Sequence, residues 1–194
     1  MTESPVVLAS SSPRRRQLLE MLHIPFEVDA SGIDEVVRPG EAAQDYVVRV
    51  AREKAEFVSA RRPGAVVLAA DTEVVLDGEV FGKPADSAGA VAMLGRLQGR
   101  THQVVTAVVV ASDGRIEHAL DVSLVTIRPA DPATLAAYVA TGEPLDKAGA
   151  YAIQGQGGVL IERIEGDVFG VMGLPLRLAV DLLTRFGRPY RFTR

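Results

Sequence analysis

The sequence predicts an α/β protein with a mixed sheet, in which long antiparallel ribbons are flanked by helices. Short apolar runs of strand length alternate along the chain with segments whose apolar residues recur at helical spacing. Two long strand-like segments, 103–111 and 115–128, flank Asp113-Gly114, a pair typical of tight hairpin turns. Parallel strands cannot be joined by so short a turn, so a plain doubly wound sheet is excluded. The 194 residues suit one domain, 1–194.

The first half of the chain begins with a strand and a helix. Apolar residues 6–9 are followed by a hydroxyl-rich turn, 10–12, which opens the helix. Residues 65–70 form a continuous apolar run before Asp71, as in a strand buried on both faces. The expected elements of this half are, in order, strand 6–9, a helix after residue 12, helix 44–60, strand 65–70 and a hairpin over 74–81 around Asp77-Gly78.

The second half is delimited by helix caps and by glycine. Asp86-Ser87 caps a helix that ends at Gly99, and Asp131-Pro132 caps the next helix and places proline at its first position. The glycine-rich stretch 154–158 separates two short apolar segments. The expected elements are helix 87–98, strands 103–111 and 115–128, helix 132–140, strands 149–153 and 159–164 and a last helix over 175–186.

Composition excludes several classes of function. The chain is 47% hydrophobic and 24% charged with a net charge of -4, which argues against general nucleic-acid binding. Cysteine is absent from the sequence, so disulfides and thiolate chemistry are excluded, and the three histidines show no ligand spacing. No apolar run reaches the roughly 18 residues that span a membrane, and no secretory signal is recognisable. We therefore expect a cytoplasmic protein with no membrane or nucleic-acid partner.

The turn after the first strand is a candidate polyphosphate site. Ser10 and Ser12 precede a helix whose first turns carry Arg14, Arg15 and Arg16. The first amides of a helix lack internal partners and favour anions, and serine hydroxyls bind phosphate oxygens. Arginines at a helix start need an external anion or carboxylates to offset the helix dipole. The alternative is a solvated basic helix end.

Acidic side chains supply the second cluster. Asp71 directly follows a predicted buried strand, and a carboxylate at a strand end suits a hard cation or a proton taken from water. Glu35 lies in a polar connection and could complete a magnesium site beside a triphosphate. The alternatives are a turn or cap aspartate and a solvated loop acid.

Two lysines are further candidates for phosphate contact. Lys83 lies in Gly82-Lys83-Pro84, where glycine allows close backbone approach and proline stiffens the loop. Lys54 lies on a predicted helix, where an exposed charge is the commoner case. We expect neither lysine to be central to the core, so that replacing either one should leave folding intact.

The chain resembles the Maf family of nucleoside triphosphate pyrophosphatases nearly end to end. The matching segments are 8–15 (LASSSPRR), 52–55 (REKA), 70–72 (ADT), 82–84 (GKP), 101–106 (THQVVT), 143–151 (EPLDKAGAY), 153–155 (IQG) and 173–176 (GLPL). The resemblance implies a two-lobed fold like that of inosine triphosphate pyrophosphatases, with the nucleotide in the cleft. It also implies metal-dependent cleavage between the α- and β-phosphates. In that setting Asp71 is the expected catalytic residue, Asp71 and Glu35 the ligands of Mg²⁺ or Mn²⁺, and Ser10, Ser12, Arg15, Lys54 and Lys83 the phosphate contacts.

The resemblance extends to the branch that acts on dTTP and UTP. Arg14, Thr72 and Gln154 match that branch, whereas the branch acting on 7-methyl-GTP has tryptophan, glutamine and glutamate there. Gln154 offers an amide donor and acceptor that complement the O–N–H edge of thymine or uracil, and a flip of the amide would partly accommodate the inverted pattern of cytosine. The alternative is a loop amide with no role in binding. One departure is Gly170, where many members have a polar residue. Modified pyrimidine triphosphates are further candidate substrates.

A second hypothesis is a nucleotide-binding regulator, since the historical name of the family refers to septum formation. A pure binding protein would need Arg14, Lys54 and Lys83 but not Asp71, so the sequence favours the enzyme. A homodimer is left open.

Overall fold

The computed structural model describes residues 4–192. Seven strands form one mixed sheet in the order β2-β1-β3-β5-β6-β7, with β4 paired to β3 beside this path. The contacts of β1 with β2 and β3 are parallel, and all the other pairings are antiparallel. The strands are β1 Val6–Leu8, β2 Phe26–Val28, β3 Val66–Leu76, β4 Glu79–Phe81, β5 Thr101–Ser112, β6 Arg115–Ile127 and β7 Ile161–Glu165.

Among residues 4–192, six α-helices flank the sheet. They are α1 Pro13–Glu20, α2 Ala43–Arg61, α3 Ser87–Leu97, α4 Pro132–Ala140, α5 Val168–Met172 and α6 Leu176–Arg185. Two short 3-10 segments, Ala148–Ala150 and Gln156–Leu160, lie between α4 and β7. None of the helices within residues 4–192 combines the length and apolar character that a membrane crossing requires.

Strand β3 has an opening along one edge, and this opening positions the site. Its residues 66–68 pair with β1 and its residues 74–76 pair with β4, while β5 occupies the opposite edge throughout. Residues 69–73 therefore have a sheet neighbour on one side only. The amide of Ala9 still donates to the carbonyl of Leu68 at 2.8 Å, after which the chain leaves the sheet. The serine-rich turn thus begins beside the open edge.

The buried apolar residues form three clusters, one on each face of the sheet and one at its far end. One apolar cluster joins α2 to the face of the sheet that carries Val67, Ala69 and Ala107. A second joins α1 and α6 to the opposite face. A third gathers α3 and α4 around the far halves of β3 and β5. The open stretch of β3 lies where the three clusters meet.

Most of the predicted elements are confirmed, including the mixed α/β architecture. Both predicted hairpin turns have positive φ at each central residue, 52° and 81° at Asp77-Gly78 and 48° and 81° at Asp113-Gly114. Asp86 and Asp131 cap their helices as expected. The short strand β2 and the one-and-a-half-turn helix α5 were not predicted.

One predicted strand, the start of another and the end of a third are wrong. The strand expected over 149–153 is replaced by a 3-10 turn, because Gly149 and Ala150 take φ values of 69° and 56°, which a strand cannot contain. The strand expected from 159 begins at Ile161, after a 3-10 segment. The strand expected to end at residue 70 continues to Leu76, so Asp71 lies within β3 and pairs with Ala107.

Candidate active site

A pocket of about 350 Å³ opens at the unpaired stretch of β3. Its walls come from the β1–α1 turn, residues 30–35, the middle of β3, the loop after β4 and residues 146–154. Every residue proposed from the sequence as catalytic, binding or metal-ligating lines it: Ser10, Ser12, Arg14, Arg15, Glu35, Lys54, Asp71, Thr72, Lys83 and Gln154. The structure therefore brings segments more than a hundred residues apart to one cavity.

Arg15 is fixed by the turn that precedes it and by β3. Its guanidinium donates to the Gly173 carbonyl at 2.9 Å, to Thr72 Oγ1 at 3.2 Å and to Ser10 Oγ at 3.4 Å. Ser12 caps α1, since its hydroxyl accepts from the Arg15 amide at 3.5 Å. Ser10 and Ser12 are thus already part of the local structure, and they hold an arginine against the pocket wall.

Lys54 bridges two carboxylates. Its ammonium lies 2.7 Å from Asp71 Oδ1 and 2.7 Å from Glu35 Oε1. The lysine is 5% exposed and Asp71 is 3% exposed. The prediction that neither lysine is central to the core is therefore wrong for Lys54, because an unpaired buried Asp71 charge would be costly. Lys83, by contrast, is exposed at the rim.

Glu73 is a third carboxylate that the sequence reasoning missed. It lies two residues after Asp71 on β3, so both side chains project from the same face of the sheet. It is 8% exposed, and its Oε2 has no hydrogen-bond partner among the described residues. Burial and the neighbouring Asp71 and Glu35 carboxylates raise the pKa of Glu73 to about 8. The period-2 pattern of a strand continuing through Asp71 was the signal that could have indicated it.

Two cations and one amide that line the pocket have no internal partner within residues 4–192. Within residues 4–192, Arg14, Lys83 and Gln154 make no hydrogen bond or ion pair. Since paired side chains must break contacts before they bind a ligand, these three are the groups best able to bind one directly. They lie on three different walls of the pocket.

Thr72 and Gly170 belong to the framework of the site. The Thr106 hydroxyl lies 2.9 Å from Thr72 Oγ1 and 2.9 Å from the Gly170 carbonyl, donating to these oxygens. A Cβ at position 170 would lie 2.3 Å from Asp121 Oδ2. A side chain at this position would therefore require the Asp121 carboxylate to shift, which accounts for glycine here.

The carboxylates fit a hard cation that takes few protein ligands. Asp71 Oδ2 is buried and has no hydrogen-bond partner in the part of the chain that the structure describes, as for Glu73 Oε2. No cluster of three or more acidic or histidine side chains within residues 4–192 has the arrangement of a metal site. Mg²⁺ commonly uses one or two carboxylates and completes its shell with water and phosphate oxygens. The residues present thus suit a cation that arrives with a phosphate ligand.

Comparison with known proteins identifies the family. The family model described as Maf-like protein matches residues 5–186. A dTTP/UTP pyrophosphatase of Myxococcus xanthus is 55% identical over 185 residues, covering 95% of this chain and 93% of the relative. A dTTP/UTP pyrophosphatase of Symbiobacterium thermophilum is 50% identical and covers 95% of each chain.

A solved structure, the Ham1 protein of Staphylococcus aureus, matches with a TM-score of 0.46 and 17% identity over 94% of this chain and 97% of that one. The family model covers most of the chain, and the two pyrophosphatase relatives share about half of their residues with it. The chain therefore belongs to the family of Maf-like proteins.

Proposed function

We propose that this protein hydrolyses dTTP and UTP to the nucleoside monophosphate and pyrophosphate. The observation that carries the proposal is the pocket at the open edge of β3, which combines cations, a helix N-terminus and buried carboxylates. The names of the relatives, dTTP/UTP pyrophosphatases at 50–55% identity, support the same activity and substrates.

The phosphates occupy the part of the pocket beside the β1–α1 turn. Arg15 is held there in a fixed orientation, and Arg14 and Lys83 add charges that have no ion pair in the part of the chain that the structure describes. A triphosphate carries several negative charges, and the N-terminal amides of α1 favour anions in addition. Charge-assisted hydrogen bonds from these groups supply affinity and align the chain of phosphates.

Asp71 is the residue that we assign to the reacting water. Its carboxylate accepts the proton of the water, or orients it, as the water oxygen bonds to the α-phosphorus. The bond from that phosphorus to the oxygen bridging the α- and β-phosphates breaks, and pyrophosphate leaves. Lys54 holds the Asp71 carboxylate in place through their 2.7 Å contact.

Asp71 and Glu35 are the residues that we propose to hold Mg²⁺ or Mn²⁺, with Glu73 nearby on the same face of β3. Such a cation, when bound, neutralises charge on the phosphates and polarises the phosphorus. The unpartnered oxygens of Asp71 and Glu73 are the observations that support this assignment.

Gln154 is the residue that we assign to the base. Its exposed amide lines the pocket and has no internal partner within residues 4–192. It matches the donor and acceptor pattern of uracil and thymine, whereas cytosine presents the inverse pattern. Unpaired polar groups cost about 1–3 kcal/mol each, which suffices for tenfold or greater discrimination.

The test is a product assay over the common nucleoside triphosphates, with and without Mg²⁺ or Mn²⁺. We expect pyrophosphate and monophosphate from dTTP and UTP at rates at least tenfold above those from CTP, dCTP, dATP and GTP. We also expect weak discrimination between the ribose and deoxyribose forms. A preference for a purine triphosphate would contradict the base assignment, and binding without turnover would favour the regulatory hypothesis.

A further inference from the structure

The segment that carries Gln154 is fastened to the body of the protein on both sides. On its N-terminal side, the amide of Ala152 donates to the Tyr138 hydroxyl at 3.1 Å. On its C-terminal side, the amides of Gln156 and Gly157 each donate to the Glu143 carboxylate at 2.9 Å. The Tyr138 hydroxyl in turn donates to Glu143 Oε1 at 2.9 Å. One carboxylate and one phenol thus hold residues 152–157.

The glycines of this segment allow it to approach these side chains closely. A Cβ at position 155 would lie 2.5 Å from Glu143 Oε2, and one at position 157 would lie 2.4 Å from the Tyr138 hydroxyl. Gly155 also has a φ of 82°, which other residues rarely adopt. The glycines after Gln154 therefore allow the backbone to pack directly against Glu143 and Tyr138, which a side chain at either position would prevent.

Neither Glu143 nor Tyr138 lines the pocket, although Ala152, Ile153 and Gln154 do. Burial opposes ionisation of Glu143, but its hydrogen bonds from Gly157, Gln156 and Tyr138 and the charge of Lys147 together hold its pKa below the ordinary value. Because the carboxylate accepts three hydrogen bonds and stays charged, it is a strong and directional anchor.

We propose that Glu143 and Tyr138 are positioning residues that set pyrimidine specificity by holding the Gln154 segment against the pocket. This inference rests on the proposed function, in which Gln154 reads the base. Neither residue touches the substrate. Losing the anchor lets the backbone of residues 152–157 shift. The Gln154 amide then no longer meets the base in one position, so that uracil and cytosine are distinguished less well.

The kinetic test compares Glu143→Gln and Tyr138→Phe with the wild type on UTP and CTP. In Glu143→Gln an amide NH₂ faces at least one backbone N–H, so one donor is left without an acceptor. Tyr138→Phe removes the hydroxyl that joins Ala152 to Glu143 and changes no charge. Matched controls are Glu162→Gln, an exposed glutamate on β7, and Tyr190→Phe, whose ring stacks on Phe192 near the C-terminus.

We expect both variants to lower the ratio of kcat/KM for UTP over CTP by about tenfold. This loss should come mainly from a higher KM for UTP, with kcat within about threefold of the wild type because Asp71 and Lys54 lie elsewhere in the site. The controls should keep the wild-type ratio. An unchanged ratio in both variants, or a loss confined to kcat, would overturn the inference.

Amide hydrogen exchange over residues 152–158 provides a readout that does not depend on activity. Exchange there should be at least about tenfold faster in Glu143→Gln, while the amides of β5 remain protected. Unchanged exchange would overturn the anchoring itself. If exchange accelerates but Gln154→Ala retains the UTP preference, the base assignment in the proposed function fails and the anchor stands. If Gln154→Ala loses the preference and Glu143→Gln does not, only the positioning role fails.

Discussion

At the scale of single residues, Lys54 is the group on which the charge balance of the site depends. It lies 2.7 Å from each of two carboxylates, of which Asp71 is buried and Glu35 is 39% exposed. A helix-face lysine is usually solvated, but here α2 packs on the face of β3 that carries Asp71, so a buried aspartate lies opposite Lys54. The same contact therefore serves both the stability of the fold and the placement of the proposed base.

Asp71→Asn tests that base. The amide keeps the shape of the side chain but cannot accept the proton of the water, so we expect turnover of UTP to fall on the order of a hundredfold or more. Asp77→Asn is the matched control, because Asp77 lies at an exposed hairpin turn and pairs with Arg100. Near-normal activity of Asp71→Asn in steady-state assays would contradict the assignment.

The two lysines of the pocket should differ when each is replaced by methionine. Lys54→Met leaves Asp71 buried and unpaired, which costs about 3 kcal/mol in the free energy of unfolding as well as activity. Lys83→Met should lose activity on triphosphates with no change in stability, because Lys83 is exposed and has no ion pair within residues 4–192. Denaturant unfolding of both proteins, measured beside their kinetics, separates these outcomes. Equal stability of the two variants would show that the Lys54 contacts are not structural.

At the scale of elements, the sequence indicates which residues form the site but not how the strands bring them together. The motifs predict Ser10, Arg15, Asp71 and Gln154 because their chemistry is local. The continuation of β3 through Asp71 depends on pairing with β5, a contact between residues about 35 positions apart. Local patterns do not report such pairing, and so Asp71 was expected at a strand end and Glu73 was missed.

The incorrect prediction of a strand at residues 149–153 has a similar cause. The side chains of this segment suit a strand, but Gly149 takes a positive φ to pass close to Val74 of β3. This close contact depends on how distant segments pack together. A single glycine in an apolar segment does not predict it. The structure thus places a turn where the pattern favours extended backbone.

Gly149→Ala tests this close approach. Its Cβ would lie 2.9 Å from Val74 Cγ2 in a residue with a φ of 69°. Gly114→Ala is the control, since Gly114 has a φ of 81° and nothing within 4 Å of its Cβ position. We expect Gly114→Ala to cost about 1 kcal/mol from backbone strain alone, and Gly149→Ala to cost at least about 1 kcal/mol more from the clash. Equal losses in urea unfolding would mean that Val74 moves aside freely.

At the scale of the whole molecule, His102 couples stability to pH. It is 2% exposed on β5, and its Nε2 lies 2.7 Å from the hydroxyl of Tyr151, which lines the pocket. Burial lowers the pKa of His102 to about 4. Between pH 6.5 and 4 the unfolded chain therefore binds a proton that the folded protein does not, so stability falls as the pH falls through this range.

The contribution of His102 should amount to about 3 kcal/mol across that range. His102→Gln removes the titrating group, so its free energy of unfolding should depend less on pH than that of the wild type below pH 6.5. His118→Gln is the control, because His118 is exposed on β6. Thermal or urea unfolding at intervals from pH 7 to pH 4 measures the three profiles. If the free energy of unfolding depends on pH in the same way in His102→Gln and the wild type, the buried imidazole of His102 is not held neutral in the folded protein.

The proposed function requires that the pocket at the open edge of β3 hold a triphosphate with its α-phosphorus beside Asp71. A crystal structure with Mg²⁺ and α,β-imido-UTP, in which the scissile bridging oxygen is replaced by nitrogen, would show whether this is so. We predict that the phosphates contact the β1–α1 turn and Lys83, that the uracil lies at Gln154, and that Asp71 is the carboxylate nearest the α-phosphorus. A triphosphate bound outside this pocket, or bound in it with Asp71 remote from the α-phosphorus, would contradict the account.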